Sequence, residues 1–89
     1  MEFLLSSSVK KELKRLKLKR PKLARKIQTQ LKLFAESPKH PSLRLHKLKG
    51  QLGNSWSISI EENYRMIYYI KDAKAVFFDI GTHDQVYKK

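Results

Sequence analysis

The sequence predicts an α+β domain spanning residues 1–89: an opening strand, a helical hairpin, then an antiparallel meander of three to four strands. Two observations predict it. Apolar residues recur three and four positions apart up to Phe34, then every second position from Leu43 onward. The apolar segments after residue 54 are joined by turns of only a few residues, which pairs consecutive strands antiparallel. A length of 89 residues gives one small domain with a modest core.

Phe3-Leu4-Leu5 reads as a short strand, and Ser6-Ser7-Ser8 offers N-cap oxygens to the helix after it. Val9, Leu13 and Leu16 form that helix's apolar stripe, while Lys10, Lys11, Lys14, Arg15 and Lys17 fill the outer face. Pro21 ends the first helix and suits the first turn of a second. Leu23, Ile27, Leu31 and Phe34 are the second helix's buried stripe, and Ser37-Pro38 stops it. So tight a connection makes the two helices an antiparallel hairpin.

Residues 43–48 alternate as a strand whose inward face is ambiguous, and residues 50–54 are a loop. Trp56, Ile58 and Ile60 alternate with Ser55, Ser57, Ser59 and Glu61, the pattern of a half-buried strand. Glu61-Glu62-Asn63 is a turn. Residues 64–70 are apolar on both faces except at Arg65, as in a central strand. A turn at residues 71–74 leads to a last apolar strand over 75–80, interrupted by Asp79. Gly81 ends it, and residues 82–89 form a short tail. The helical hairpin should cover one face of the sheet and leave the other as a curved, partly polar surface. Arg65 and Asp79 either pair within the sheet or project into a site on that open face.

The formal net charge is +12, and its placement is uneven. Residues 1–50 hold 15 basic and 3 acidic side chains, whereas residues 51–89 hold 5 of each. Hydrophobic residues make up 40% of the chain, too many for a disordered basic tail, so the charge belongs to one face of a folded domain. Such a face attracts nucleic acid, acidic protein segments or anionic lipid. The absence of Cys removes disulfides, thiolate metal sites and a Cys nucleophile, and suits a reducing cytoplasm. No apolar run is long enough to span a membrane, and Met1-Glu2-Phe3-Leu4-Leu5 lacks the basic region of a signal peptide.

No Gly-rich phosphate loop and no Ser-nucleophile motif is present, and the spacing of His40, His46 and His83 fits no standard zinc pattern. No metal or cofactor is therefore expected. His40, between Pro38 and Pro41, reads as an ordinary exposed loop residue. His46 lies in the basic run Arg44-Leu45-His46-Lys47-Leu48-Lys49, either as a solvated strand residue or as a phosphate contact. His83 stands just past the end of the last strand, where a side chain can reach a cleft or simply face water. The basic first helix is a solvated face, a dock for an acidic partner or an RNA contact. Trp56, Tyr64, Tyr68 and Tyr69 fit core or cross-strand packing better than base stacking. Tyr87, near the end of the chain, is the aromatic most available to a base.

In order, His46-Lys47-Leu48-Lys49-Gly50, Trp56-Ser57-Ile58, Tyr64-Arg65-Met66-Ile67-Tyr68 and Gly81-Thr82-His83-Asp84-Gln85-Val86-Tyr87 resemble the RelE/ParE superfamily of bacterial toxins. The resemblance covers nearly the whole chain and is strongest to the RelE-type mRNA interferases of the YafQ-like branch. It implies the RelE-like fold and a toxin of a type II toxin–antitoxin pair that cuts mRNA, typically at the ribosome, without a metal ion. The nucleophile would be the RNA's own 2′-OH, which needs a base, a positive group for the phosphorane and an acid for the leaving oxygen. By that resemblance His83 and His46 are the proton-transfer residues, and Arg65 binds the scissile phosphate. Lys47 and Lys49 hold neighbouring phosphates, and Tyr87 orients a base. The chain departs from the branch at Asp79, where the branch carries Arg, at Asn63-Tyr64, where it carries Asp-Trp, and at Ser59, where it carries a further His. The alternatives are a ParE-like toxin that inhibits DNA gyrase by binding alone, and a catalytically weakened member kept for antitoxin and operator binding. All imply an acidic, partly disordered antitoxin segment as partner and a complex able to bind operator DNA.

Overall fold

The computed structural model describes residues 1–49 and 54–87. Strand β1 (Phe3–Leu5) runs into helix α1 (Ser7–Lys19), whose first turn is capped by the Ser6 hydroxyl accepting the Val9 N–H at 3.2 Å. Helix α2 (Pro21–Glu36) follows with only Arg20 between, and its first residue is the proline that lacks the N–H a first turn leaves orphaned anyway. Strands β2 (His46–Lys47), β3 (Ser55–Glu61), β4 (Tyr64–Lys71) and β5 (Lys74–Thr82) form an antiparallel meander, and helix α3 (His83–Tyr87) closes the described chain.

The sheet order is β1-β5-β4-β3-β2. β1 joins it parallel to β5, with Phe3 opposite Ala75 and Leu5 opposite Phe77, so β5 is an interior strand. β4 and β5 meet through Asp72 and Ala73, both at positive φ (53° and 63°), as in the type I′ turns that match the twist of a hairpin.

Helices α1 and α2 cover one face. The alternation of β3 and β4 sends Ile58, Ile60, Met66 and Tyr68 toward them, where they pack with Val9, Leu16, Ile27, Leu31 and Phe34. At the centre the rings of Phe34, Tyr68 and Phe77 lie with centroids 5.0 to 5.2 Å apart, and fully burying one such ring contributes about 1.5–3 kcal/mol. Burial raises the phenol pKa of Tyr64 and of Tyr68 above the ordinary value. At the outer edge of β3 the Ser59 carbonyl accepts from the buried Gln30 amide at 2.9 Å, which satisfies a group that β2 is too short to reach.

Three expectations change. Residues 43–48 are not one strand. Pro41 starts a 3-10 turn (Pro41–Leu43), Arg44 follows at φ 47° and ψ 51°, and only His46 and Lys47 pair with β3. A residue in the left-handed region cannot continue an extended run, so Leu43 and Leu45 turn into the helix-side core while Leu48 packs on the opposite face. The loop predicted for residues 50–54 lies, apart from Asn54, outside the described residues. Residues 82–87 are not a tail: β5 runs on to Thr82, and α3 packs back on the sheet. The second face is therefore only partly open, because Val86 and Leu48 bury Ile67 there with Phe78 and Tyr87 alongside.

Candidate active site

Helix α3 begins with a reciprocal cap. The Thr82 N–H donates to Gln85 Oε1 at 2.8 Å, and the Gln85 N–H donates to Thr82 Oγ1 at 3.3 Å. This is the Thr-x-x-Gln form of the capping box, and it satisfies two backbone donors of a helix too short to be stable alone. The His83 N–H also donates to the Asn63 carbonyl at 3.2 Å, tying the helix start to the β3–β4 turn. Gly81 leaves room for this cap: a Cβ there would stand 2.6 Å from Gln85 Oε1, so the flexible end of Gln85 would have to move.

His83, in the first turn of α3, is well exposed, and its ring packs edge-on against Tyr87 with centroids 4.3 Å apart. The Tyr87 hydroxyl donates to Ser57 Oγ at 2.7 Å, and Arg65 Nε donates to the same oxygen at 3.1 Å. A second guanidinium donor, Arg65 Nη2, reaches the Arg44 carbonyl at 2.9 Å. Ser57 is wholly buried on β3, so one hydroxyl fixes both the ring beside His83 and the plane of Arg65. A guanidinium carries five N–H donors, so two fixed bonds leave it free to grip a ligand with the others.

The cleft that these residues border measures ≈ 610 Å³. His46 and His83 supply its imidazoles, and Arg44, Lys49 and Arg65 its permanent positive charges. Tyr87, Leu45 and Leu48 supply its apolar surface. Among the described residues no carboxylate lines it, although Asp84 Oδ1 lies 3.9 Å from His83 Nδ1. Two groups that can pass protons, beside three cations, suit a reaction on an anion whose charge grows as it proceeds.

Of the six candidates singled out in the sequence, five line this cleft: His46, Lys49, Arg65, His83 and Tyr87. Lys47 does not. Adjacent strand residues face opposite ways, and Lys47 Nζ lies 5.6 Å from the centroid of the Trp56 ring, which itself stacks on Tyr68. Tyr87 is half-buried with its hydroxyl bonded, not free at a chain end. Arg65 is tied within the sheet and also faces the site, which joins the two readings of it. Asp79 accepts the Ile80 N–H at 3.0 Å and does not line the cleft. Among the described residues no three His, Cys, Asp or Glu side chains could hold a metal ion, and no helix is long and apolar enough to cross a membrane.

Sequence reasoning missed Ser57, Arg44 and Gln85. Thr82-His83-Asp84-Gln85 carries a capping-box spacing that signals Gln85 and α3 together. Ser57 carries no comparable signal, being one of three alternating serines on β3.

The family model described as bacterial toxin of type II toxin–antitoxin system, YafQ, matches residues 1–88. No curated protein matches the chain. Among solved structures, YafQ from E. coli strain BL21(DE3) is 22% identical, with 97% of each chain covered and a TM-score of 0.78. The YoeB/ParE toxin from Agrobacterium tumefaciens is 16% identical over 93% of this chain and 99% of that one, also at 0.78. A chain of the E. coli DinJ–YafQ toxin–antitoxin complex is 24% identical over 97% of this chain and 96% of that one, at 0.75. At such identities the structural likeness speaks for the fold.

Proposed function

We propose that this chain, which belongs to the YafQ family of bacterial toxins of type II toxin–antitoxin systems and has the RelE-like fold, is an endoribonuclease that cuts mRNA at the ribosome. The observation that carries the proposal is the convergence of His46, His83 and Arg65 in one cleft. One imidazole takes the proton of the 2′-OH as its oxygen forms a bond to phosphorus. Arg65 binds the non-bridging oxygens as the phosphorane gains charge. The P–O5′ bond then breaks, and the other imidazole, in its protonated form, gives its proton to the leaving 5′-oxygen. The products are a 2′,3′-cyclic phosphate and a 5′-OH. The positive charge comes from Arg65 and Lys49, so the scheme calls for no metal. Lys49 neutralises a neighbouring phosphate. Tyr87 holds the His83 ring edge-on and borders the space for a base. Lys47, on the other side of β2, stands outside this set.

The E. coli DinJ–YafQ and Staphylococcus aureus YoeB–YefM structures are toxin–antitoxin complexes, which supports an antitoxin partner for this chain as well. Its acidic, partly disordered segment would neutralise the basic faces of α1 and α2, and the complex would bind operator DNA. The site of action is the cytoplasm, where the mRNA is.

The test is a translation reaction with purified protein, followed by primer extension to map new mRNA 5′ ends. Discrete cuts are expected, and they should vanish in His83→Ala while circular dichroism stays unchanged. No cuts, together with inhibited DNA supercoiling by gyrase, would replace this reading with a binding toxin of the ParE kind.

A further inference from the structure

Arg44 has an unusual backbone. It closes the 3-10 turn in the left-handed region, which an arginine adopts at a cost, and its N–H donates to the Pro41 carbonyl at 3.1 Å. Its carbonyl is the acceptor for Arg65 Nη2. The side chain is exposed and borders two concavities. One is the cleft of His46, Arg65 and His83. The other is a neighbouring groove of ≈ 460 Å³, bordered by Lys26, Gln30, Ser42, Ser59, Glu61 and Glu62. Among the described residues Arg44 is common to both linings.

We infer that the Arg44 guanidinium is a further RNA-binding residue, a seat for the phosphate of the strand as it leaves the reaction centre toward the second groove. The inference rests on the ribonuclease reading of the cleft. Charge order favours it: cations alone charge the cleft's described lining, Arg44 borders both concavities, and in the far groove the carboxylates of Glu61 and Glu62 outnumber the ammonium of Lys26. Those carboxylates repel phosphate and accept from the exocyclic amino groups of bases, so the backbone of the strand stays at Arg44 while a base faces the groove. The rival explanation is that Arg44 matters only through its carbonyl, which would leave its side chain merely solvated.

Arg44→Gly separates the two, because glycine keeps the carbonyl and adopts the left-handed region freely while losing the guanidinium. The probe is a short mixed-sequence RNA with every 2′-OH methylated, which removes the nucleophile. Its binding is followed by fluorescence anisotropy across a range of salt concentrations. The expected result is an affinity roughly 3- to 10-fold lower at physiological salt, and a slope of log affinity against log salt smaller by about one phosphate contact, ~0.7 for a single strand. Arg44→Lys should restore the slope, and the melting temperature of Arg44→Gly should not fall below that of the parent. Wild-type affinity and slope in Arg44→Gly would overturn the proposal and leave the cleft reading standing. A weaker affinity with an unchanged slope and a lower melting temperature would assign Arg44 a structural role and also overturn it. Failure of the wild-type protein to bind the RNA would remove the RNA reading of the cleft and this inference with it.

Discussion

Replacing Ser57 by Ala deletes the one oxygen that accepts from both Tyr87 and Arg65, at 2.7 and 3.1 Å, in a position with 0% exposure. A neutral hydrogen bond of this kind contributes about 1 kcal/mol and one from a charged donor about 1.5–3 kcal/mol. Arg65 keeps its bond to the Arg44 carbonyl and is partly exposed, so water recovers part of the second term. The net cost should be about 2 kcal/mol, which lowers the melting temperature of an 89-residue domain by roughly 8–16 °C. Tyr87→Phe removes one of the two bonds and should cost about 1 kcal/mol. Because the Tyr87–Ser57 bond is counted in both single variants, the double variant should be less destabilised than their sum by about 1 kcal/mol. Urea unfolding of the four proteins, followed by far-ultraviolet circular dichroism, measures this coupling. Effects that add to within about 0.3 kcal/mol would show that the two hydroxyls do not share a bond, and the account of how the ring beside His83 is held would fall with it.

Gly81→Ala should displace the Gln85 amide from the Thr82 N–H, costing about 1 kcal/mol and slowing mRNA cleavage as α3 carries His83 out of place; an unchanged melting curve and cleavage rate would contradict the 2.6 Å approach. Ala73→Gly relieves a left-handed residue at φ 63° and should stabilise the protein by about 0.5–1 kcal/mol, so a loss of stability in urea unfolding would refute the type I′ assignment of that turn. Tyr64 and Tyr68 keep their phenolic protons in the folded state above the pH, about 10, at which the unfolded chain releases them. Their raised pKa values leave stability intact below that pH and erode it as the pH rises further. Melting temperatures measured between about pH 9 and 11 should fall less steeply in the Tyr64→Phe/Tyr68→Phe variant, and parallel slopes would argue against burial as the cause.

The parts of the fold legible in the sequence are those in which local pattern and tertiary demand agree. The stripe Leu23, Ile27, Leu31 and Phe34 is apolar at helical spacing and is buried as one. The alternation of Trp56, Ile58 and Ile60 survives as the inward face of β3. What failed depended on contacts distant in sequence or on backbone states that side-chain identity does not announce. Arg44 in the left-handed region breaks a run that reads as extended, and nothing about arginine at that position signals it. Ser57 reads as an outward polar residue because the sheet face it occupies reads as open. It is buried because α3 docks there through Val86 and places the Tyr87 hydroxyl on it. The site residues His46, Lys49, Arg65, His83 and Tyr87 were visible as residue types. Their convergence follows from the pairing of β2 with β3 and the return of α3 to the sheet.

The parallel pairing of β1 with β5 joins Phe3 to Ala75 and seats β5 between the first strand and β4. An interior position is thus filled by the last of the described strands to be synthesised, and α3 with His83 follows it. Contacts between residues so far apart in sequence form late and slowly, since the intervening chain must first be brought together. A nascent chain still short of residue 74 therefore has neither the sheet's centre nor the His83 side of the cleft. Synthesis of the helical half and completion of the cleft are thereby separated in time: residues 1–73 can leave the ribosome before β5 and α3 exist to finish it.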